Sequence, residues 1–397
     1  MEKEKHNDKR FFKRKLRMGM IGGGNDAFIG AIHRHAAFID NQIELVCGCF
    51  SVDPEISLES GRSYYLPDSR IYATYQEMIE KEALLPEEER MDFVTIVTPN
   101  FLHYAPAIMA LENGFHVVLD KPITFSLEEA KSLKRKVEET GLILALTHVY
   151  SAYPAVKEMK QRIKEGQVGK IRKILVEYPQ GWLSTRMELQ KGSNAGWRTD
   201  PKRSGKAGSI GDIGTHAMQL TEYVSGLQCT EVCADLNTFC KGRMLDDDGA
   251  AFLRFNNGAK GVLIATQIAA GEPNGLKLRI YGDKCGLEWY QMNPNILRLK
   301  WQEKPEEIIR TGSPYMGEYA KHNTRISAGH PEGFIEAFAN IYRNFAFTVQ
   351  AHIAGIEPNP EWLDFPNVND GIRGMQFIET MVKSGYDNET KWTKWVE

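Results

Sequence analysis

The stretch GMIGGGNDAFIGAIH, residues 19–33, decides the fold of the first part of the chain. It overlaps a short apolar run, residues 16–21, that is typical of a buried strand, and it continues into residues with helical spacing. Glycines between a strand and a helix let the backbone approach a pyrophosphate, and the helix N-terminus supplies amide donors and a positive dipole end. The stretch therefore predicts the phosphate turn of a dinucleotide-binding βαβ unit.

The glycine pattern departs from the strict fingerprint G-x-G-x-x-G. Gly22 and Gly24 fit its first two positions, but Ala27 stands at the third. A tight turn without a ligand is the alternative interpretation. The strand before the turn and the helix after it favour the binding interpretation.

Strand and helix patterns alternate from residue 16 to residue 150. Continuous apolar runs such as DFVTIVTP, residues 92–99, are typical of strands buried in a parallel sheet. Helical patterns separate them, and one begins with Ser126 as N-cap and Glu129 at the capping-box position. This alternation predicts an α/β Rossmann domain with a doubly wound parallel sheet over residues 16–150.

The pattern changes after Tyr150, where strands cluster without intervening helices. Residues 255–261, FNNGAKG, and residues 281–286, YGDKCG, are typical hairpin turns. Two long helical patterns close the chain. We expect residues 151–397 to form an α+β domain, for substrate binding and oligomerisation, with a large, open, mainly antiparallel sheet. An open sheet exposes a broad face, so we also expect a homo-oligomer, a dimer or a higher even-numbered assembly.

Composition excludes several classes of protein. The 397 residues carry a net charge of −3, which gives no global field for nucleic acid. No apolar run approaches the ~20 residues that a membrane span needs. Residues 1–15 form a charged tail that we interpret as solvated or packed on a partner. The six cysteines form no paired C-x-x-C array, and Cys47 and Cys49 are predicted to be core residues. This pattern, with no secretory signal, favours the cytoplasm.

The end of the second strand bears on the choice of dinucleotide. An acid at this place holds the adenosine ribose of NAD. The segment CFSVDPE offers Ser51 and Asp53, although Asp53 could instead cap a turn before Pro54. Ser51 with Arg62 could accept the 2′-phosphate of NADP. The residues favour NAD as the cofactor and leave NADP open.

Four further motifs coincide: VTPNFLH (97–103), LDKP (119–122), WRTDPKRSG (197–205) and GDIGTHAMQL (211–220). With these motifs the chain resembles the Gfo/Idh/MocA family of glucose–fructose oxidoreductase and inositol dehydrogenase, from about residue 16 to the C-terminal helix. The resemblance implies an NAD(P)-dependent dehydrogenase acting on a CH–OH group. A non-catalytic nucleotide-binding protein and an oxidoreductase that keeps its cofactor bound are the alternatives.

The resemblance assigns residues to roles. Its T-P-N-x-x-H motif over the nicotinamide corresponds to Thr98, Pro99, Asn100 and His103, and its E-K-P becomes Asp120, Lys121 and Pro122. Together with the phosphate turn and the second strand, the cofactor-binding candidates are Gly22, Gly24, Asn25, Phe28, Ile29, Ser51, Asp53, Thr98, Pro99, Asn100, His103, Asp120 and Lys121. The family's G-x-x-H half-pattern arrives three residues late, as Gly30 and His33, which predicts a lengthened phosphate loop. The contacts that residues 25–29 would make with the pyrophosphate are therefore not assigned.

The resemblance also places Lys121, Asp212 and His216 at the catalytic positions, the last two as the family's D-x-x-x-H pair. Oxidising a secondary alcohol requires a base with a pKa near working pH, which suits histidine. We expect His216 to be the base, Lys121 to stabilise the developing alkoxide and Asp212 to bind a neighbouring hydroxyl. In the alternative without a catalytic role, His216 is a structural histidine, or Asp212 and His216 belong to a salt-bridged surface face.

The expected substrate is a small sugar, glycoside or cyclitol. Its binding candidates are His148, Tyr150, Trp197, Arg198, Asp212, His216 and His330. The WRTDP and GHPEG segments resemble family members that oxidise glucosides or anhydrosugars at carbon three, which include enzymes acting on C-glycosides. Oxidation of inositol is the second candidate reaction. In the alternative without a substrate role, the aromatic residues pack in a domain interface. The three acids at 246–248 are expected to be a solvated start of a strand, with no metal.

Overall fold

The computed structural model describes residues 14–25, 27–190, 195–387 and 389–397. Most of the charged N-terminal tail predicted for residues 1–15 therefore lies outside the described residues. Among the helices described, none combines the length and the apolar character that a membrane span requires.

The first part of the chain forms a parallel sheet of five strands in the order β2-β1-β3-β4-β5. The strands are β1 Leu16–Ile21, β2 Ile43–Cys49, β3 Phe93–Ile96, β4 His116–Leu119 and β5 Leu144–Leu146. The helices that connect or follow them are α1 Phe28–Ile39, α2 Pro54–Ser63, α3 Tyr75–Leu84, α4 Tyr104–Glu112 and α5 Leu127–Thr140. The order reverses direction between β1 and β3, and ligands bind outside the carboxyl ends of strands at such a point. The predicted Rossmann sheet is confirmed.

The second part of the chain forms a sheet of nine strands in the order β13-β12-β11-β10-β6-β9-β8-β7-β14. The strands are β6 Lys173–Pro179, β7 Cys229–Asn237, β8 Asp248–Phe255, β9 Lys260–Thr266, β10 Lys277–Tyr281, β11 Cys285–Tyr290, β12 Ile296–Trp301, β13 Glu307–Arg310 and β14 Thr393–Lys394. Within this sheet β6 and β9 run parallel, and the other neighbouring strands run antiparallel. The prediction of a mainly antiparallel sheet is confirmed.

The helices in the second part of the chain are α6 Pro154–Lys164, α7 Ala195–Arg198, α8 Pro201–Ser204, α9 Thr215–Ser225, α10 Glu318–His322, α11 Phe334–Ala354 and α12 Val368–Gly385. Of these, α6, α9 and α12 pack against strands of the second sheet. Helix α11 packs against α1, and α12 packs against both α5 and β7. These contacts hold the carboxyl ends of the parallel strands beside the inner face of the large sheet.

Several helices and strands were not predicted, among them the short helices α7, α8 and α10. Helix α2 has a polar, serine-rich sequence with little helical signal, and it forms after Asp53 accepts hydrogen bonds from the amides of its first turn. Strands β13 and β14 span only four and two residues, too few for a periodic pattern. Cys47 and Cys49 are buried as predicted, and all six cysteines are free.

The outer face of the large sheet carries apolar side chains that no described element covers. Phe252 is 59% exposed and Ile264 is 37% exposed, on the neighbouring strands β8 and β9. Phe252 pairs in register with Val262, and Ile264 pairs with Ala250. We propose that this face, on two strands next to the central strand β6, joins two copies of the chain.

We predict that Phe252→Lys weakens self-association, because it places a charge in the proposed apolar contact. The measurement is sedimentation equilibrium of the wild type and the variant over a range of concentrations. Leu84→Lys, at an exposed position on α3, is the matched control and should leave the mass unchanged. A monomeric wild type, or a Phe252→Lys variant that associates as tightly as the wild type, would contradict the proposal.

Candidate active site

A cavity of about 640 Å³ opens at the carboxyl ends of the parallel strands. Its lining comes from the start of α1, the segments after β3, β4 and β5, strand β6, the segment before α9, and helices α7, α11 and α12. The predicted site residues that line it are Phe28, Ile29, Thr98, Pro99, Asn100, Asp120, Lys121, Tyr150, Trp197, Arg198, Asp212 and His216. The fold thus gathers residues that lie far apart in the sequence into one cavity.

The phosphate turn is built on close backbone approach. Gly22 and Gly23 have φ angles of 80° and 76°, which favour glycine. A Cβ atom on Gly30 would lie 2.3 Å from the Cα of Gly23, so only glycine lets α1 pack this closely on the turn. Gly30 thus performs the packing that the third fingerprint glycine performs, three residues later than the strict pattern. Phe28 and Ile29, which precede Gly30, already belong to α1.

Hydrogen bonds connect the phosphate turn to α2. The backbone amide of Asn25 donates to the Ser60 hydroxyl at 3.1 Å, and the Ser63 hydroxyl donates to Asn25 Oδ1 at 2.8 Å. The carbonyl of Gly23 accepts hydrogen bonds from Arg34 at 2.6 Å and from the Tyr64 hydroxyl at 3.1 Å. The amide of Asn25 is therefore engaged with Ser60 in this structure and does not point to a pyrophosphate site as a free donor.

The end of the second strand places Ser51 and Asp53 at the start of α2. Asp53 caps α2, with its Oδ1 accepting from the amide of Glu55 at 2.9 Å, and Ser51 Oγ accepts from the amide of Asp53 at 3.1 Å. Neither residue is among those that line the cavity. Arg62, the cation considered for a 2′-phosphate, pairs with Asp68 at 2.6 Å. The structure shows Asp53 as the cap of α2, and its role at the ribose stays a prediction.

His103 joins the two motifs that follow β3 and β4. Its Nδ1 lies 2.9 Å from the carbonyl oxygen of Pro122, and its Nε2 lies 2.8 Å from that of Thr98. The ring is buried and is not part of the cavity lining. His103 therefore holds Thr98 and the Asp120–Pro122 segment in place.

An ion pair links the end of β4 to the segment before α9. Lys121 Nζ donates to Asp212 Oδ1 at 2.6 Å and to the Asp212 carbonyl at 2.9 Å. Gln267 Nε2 donates to the other carboxylate oxygen of Asp212 at 2.8 Å. Burial alone would raise the pKa of Asp212, but the charges of Lys121 and Arg198 and these hydrogen bonds lower it to about 2. The carboxylate is ionised throughout the neutral range.

His216 lies in the same cavity with most of its ring buried. Its Nδ1 is 3.3 Å from His148 Nδ1, and its ring is edge-on to Tyr150 with centroids 4.9 Å apart. Burial first, and then the charge of Lys121, hold the pKa of His216 well below its usual range. His216 is therefore neutral at pH 7 and can accept a proton.

The segment that carries Asp212 and His216 is a single π turn, Ile210–Gly214, followed by α9. A buried carboxylate holds its start: Asp246 accepts from the amides of Gly208 at 2.7 Å and Ile210 at 2.8 Å, and from the Ser209 hydroxyl at 2.8 Å. The expected solvated start of a strand at 246–248 is wrong for Asp246 and Asp247, which are buried. Backbone donors compensate for the burial of these charges. No cluster typical of a metal site occurs within the described ranges.

Asp247 plays a similar part beside it. Its carboxylate accepts from the amides of Phe239 at 2.8 Å and Cys240 at 2.9 Å, and from Arg243 at 3.0 Å. Asp246 and Asp247, which looked solvated in the sequence, therefore organise residues 208–210 and residues 239–243.

Sequence reasoning missed four polar residues near the catalytic candidates. Tyr178, Gln180 and Asn274 line the cavity, and Gln267 binds Asp212. Tyr178 donates to Asn274 Oδ1 at 2.7 Å, and Gln180 donates to the same oxygen at 2.7 Å. Each lies at or beyond the end of a strand that the sequence does not pair with the motifs, so no local signal marked them.

Two predicted substrate residues are not part of the cavity lining. His148 lies buried behind His216. His330 is exposed, with its Nδ1 3.2 Å from the Ser327 carbonyl. Trp197 and Arg198 do line the cavity, with the guanidinium 4.4 Å from the indole ring.

Comparisons with known proteins agree with this geometry. A family model described as "oxidoreductase family, NAD-binding Rossmann fold" matches residues 16–148, and the GFO/IDH/MocA C-terminal domain model matches residues 156–288. The uncharacterized oxidoreductase YfiI of Bacillus subtilis (strain 168) is 31% identical, over 98% of this chain and 99% of its own length. The chain belongs to the Gfo/Idh/MocA family of oxidoreductases. Its Rossmann domain binds NAD.

Two further relatives are described by what they bind or act on. An inositol dehydrogenase homolog from Azotobacter vinelandii, solved with NAD+, is 31% identical, with a TM-score of 0.92 over 97% of this chain and 98% of its own. The same homolog was solved with NADH and myo-inositol, with a TM-score of 0.88 over 97% and 99%. Levoglucosan dehydrogenase of Pseudarthrobacter phenanthrenivorans is 28% identical over 67% of this chain and 71% of its own.

The residues of this Gfo/Idh/MocA protein fit the dinucleotide. The start of α1 opens into the cavity, and the N-cap residue Ala27 makes no side-chain capping bond, so first-turn amides remain for a pyrophosphate. A Cβ atom on Gly24 would lie 3.0 Å from Ser60 Oγ and 3.1 Å from the Phe50 carbonyl, so a side chain would crowd this turn. Bound NAD would supply the acceptor for a hydride.

We predict that Asp246→Asn lowers the free energy of unfolding by roughly 2–4 kcal/mol, since the amide leaves buried donors without an acceptor. Chemical denaturation monitored by tryptophan fluorescence measures this loss. Asp248→Asn is the matched control, because Asp248 makes no side-chain hydrogen bond among the described residues. Equal stability of the two variants would contradict the assigned role of Asp246.

Proposed function

We propose that this Gfo/Idh/MocA oxidoreductase uses NAD to oxidise a secondary ring hydroxyl of a sugar or glycoside, at carbon three of a glucoside, to the 3-oxo sugar. The observation that carries the proposal is the meeting of Lys121, Asp212 and His216 in one cavity at the carboxyl ends of the Rossmann strands. A hydride and a proton must leave the alcohol together. The protein has to handle the proton and hold the ring.

His216 accepts the hydroxyl proton in this proposal. It is neutral at working pH, because burial and the Lys121 charge disfavour its protonated form, and it lines the cavity. Lys121 lines the same cavity and is the donor that stabilises negative charge on the reacting oxygen. Asp212 holds the ammonium group of Lys121 at 2.6 Å and presents a carboxylate to a neighbouring hydroxyl.

Other residues of the lining support this substrate class. Gln180, Asn274 and Tyr178 offer neutral donors and acceptors, and Trp197 offers an aromatic surface. Neutral hydrogen-bonding groups beside an aromatic plane suit a ring with several hydroxyls. Levoglucosan dehydrogenase, among the relatives, acts on an anhydrosugar.

A cyclitol is the second candidate substrate. The relative from Azotobacter vinelandii was solved with myo-inositol, and it resembles this chain over nearly its whole length. The two candidates differ in what the cavity must accommodate, because a glycoside carries an aglycone beyond its ring and inositol does not.

The decisive experiment is nicotinamide reduction by the purified protein. NAD and NADP are tested separately against free sugars, O-glucosides, C-glucosides and inositols. We expect reduction of NAD with glucosides, and 3-oxo products identified by mass spectrometry. Turnover of inositols alone would support the cyclitol candidate. Failure to reduce either dinucleotide with any of these polyols would contradict the proposal, and stoichiometric nicotinamide released on denaturation would then indicate a tightly held cofactor.

We predict that His216→Ala lowers kcat/KM about 10²- to 10⁴-fold, the range for loss of a general base. NAD binding, followed by quenching of tryptophan fluorescence, should be unchanged. His35→Ala, at an exposed position on the surface of α1, is the matched control. Full activity of His216→Ala would contradict the assignment of the base.

The pH dependence provides a separate prediction. Because the neutral form of His216 is the active one, kcat/KM should stay level as pH falls through 6.5 and decline only below that value. Lys121→Met removes a positive charge that lowers the pKa of His216. The acidic limb of the profile for this slower variant should therefore move to higher pH. A wild-type limb at pH 6.5 or above, or a limb that moves down in Lys121→Met, would contradict this account.

A further inference from the structure

The Nδ1 atom of His216 faces the Nδ1 atom of a second histidine, His148. The two atoms lie 3.3 Å apart, and the rings are perpendicular at 89° with centroids 5.1 Å apart. His148 is 2% exposed and directly follows Thr147 at the end of β5. It is absent from the cavity lining, and its contact with the site is through His216.

Two Nδ1 atoms can share a hydrogen bond only when one carries a proton and the other is bare. Burial and the charge of Lys121 lower the pKa of both rings, that of His148 to about 3, so both are neutral. A neutral imidazole carries one proton. The pair therefore has two arrangements: either His216 donates from Nδ1 and has a bare Nε2, or His148 donates and His216 carries its proton on Nε2.

Only one of these arrangements lets His216 act as a base. Its Nδ1 is engaged with His148, so the proton of a substrate hydroxyl can reach the ring only at Nε2. We propose that His148 is a positioning residue that accepts the Nδ1 proton of His216 and so keeps Nε2 bare for the reaction. This inference rests on the proposed function, because it gives the general base its tautomer.

The surroundings leave His148 as the partner that can do this. Tyr150 lies edge-on to His216, but its hydroxyl is engaged with Tyr178 and with Asn274, whose amide donates to it at 3.2 Å. No other hydrogen bond to the His216 ring occurs within the described part of the chain.

The backbone fixes the position of His148. Its amide donates to the Leu146 carbonyl at 3.0 Å, and its carbonyl accepts from the Ser151 hydroxyl at 2.9 Å. When His216 takes up a proton at Nε2, its Nδ1–H becomes a charged donor to His148, and such hydrogen bonds are stronger than neutral ones. His148 thus helps the protonated ring as well as orienting the neutral one.

The first test is direct and needs no turnover. Long-range proton–nitrogen correlation spectra of the full chain, labelled with ¹⁵N-histidine, report which nitrogen of each ring carries the proton. His216 is assigned by the signal lost in His216→Ala. We expect the proton of His216 on Nδ1 in the wild type, and a shift of its population toward Nε2 in His148→Leu. A His216 ring protonated on Nε2 in the wild type would overturn the inference.

The second test is kinetic. His148→Leu removes the acceptor and should lower kcat on the order of 10-fold or more with KM for the sugar nearly unchanged, as expected when an orienting partner of a catalytic group is lost. His148→Asn places an amide oxygen near the former Nδ1 and should recover most of that loss. It also provides a second variant if His148→Leu does not fold.

A matched control separates this role from general packing. His116 is also buried and edge-on to a histidine, His352, with centroids 5.4 Å apart, and neither residue lines the cavity. His116→Leu should lower stability without the selective loss of kcat. Wild-type kcat in His148→Leu, together with inactive His216→Ala, would overturn the inference and leave the proposed function intact. Wild-type kcat in both would overturn the proposed base as well.

Discussion

The ion pair between Lys121 and Asp212 connects the two halves of the site. Lys121 follows β4 of the Rossmann sheet, and Asp212 lies in the π turn before α9. Their 2.6 Å contact joins the part of the chain that binds the cofactor to the part that faces the substrate. A charge pair of this kind is costly to bury and is retained where further hydrogen bonds satisfy it, as Gln267 does here.

Electrostatics around the pair set the protonation states of the site. The carboxylate stays ionised, with a pKa of about 2, and the neighbouring imidazoles stay neutral. The same ammonium charge lowers the pKa values of all three groups, since it favours an anion and disfavours a second cation. The cavity brings together the ammonium group of Lys121, the carboxylate of Asp212 and the neutral imidazole of His216, which matches the needs of alcohol oxidation.

Much of the fold could be predicted because its signals are local. Apolar runs gave the five parallel strands, and hairpin turns gave much of the second sheet. Helix α2 and the edge strands β13 and β14 escaped prediction, because α2 depends on the cap at Asp53 and the edge strands depend on their neighbours. Tertiary context decides such elements, and a single segment does not contain it.

The site divides in the same way. Lys121, Asp212 and His216 lie in motifs, and the fold brings them together. Gln267 and Asn274 belong to no sequence motif, because it is the pairing of strands that brings them to the site. Asp246 looked solvated in the sequence because three consecutive acids are normally exposed, and only the backbone donors of a distant turn explain its burial. The sequence placed His148 near the site, but it did not indicate that His148 lies behind His216.

The structure of a ternary complex with NADH and a glucoside would test the central claim most directly. The account predicts that the oxygen at carbon three lies within hydrogen-bond distance of both Lys121 Nζ and His216 Nε2, with His148 on the far side of the His216 ring. A glucoside bound with a different carbon at these two atoms would contradict the proposed position of oxidation. A sugar ring bound away from both side chains would contradict the account as a whole.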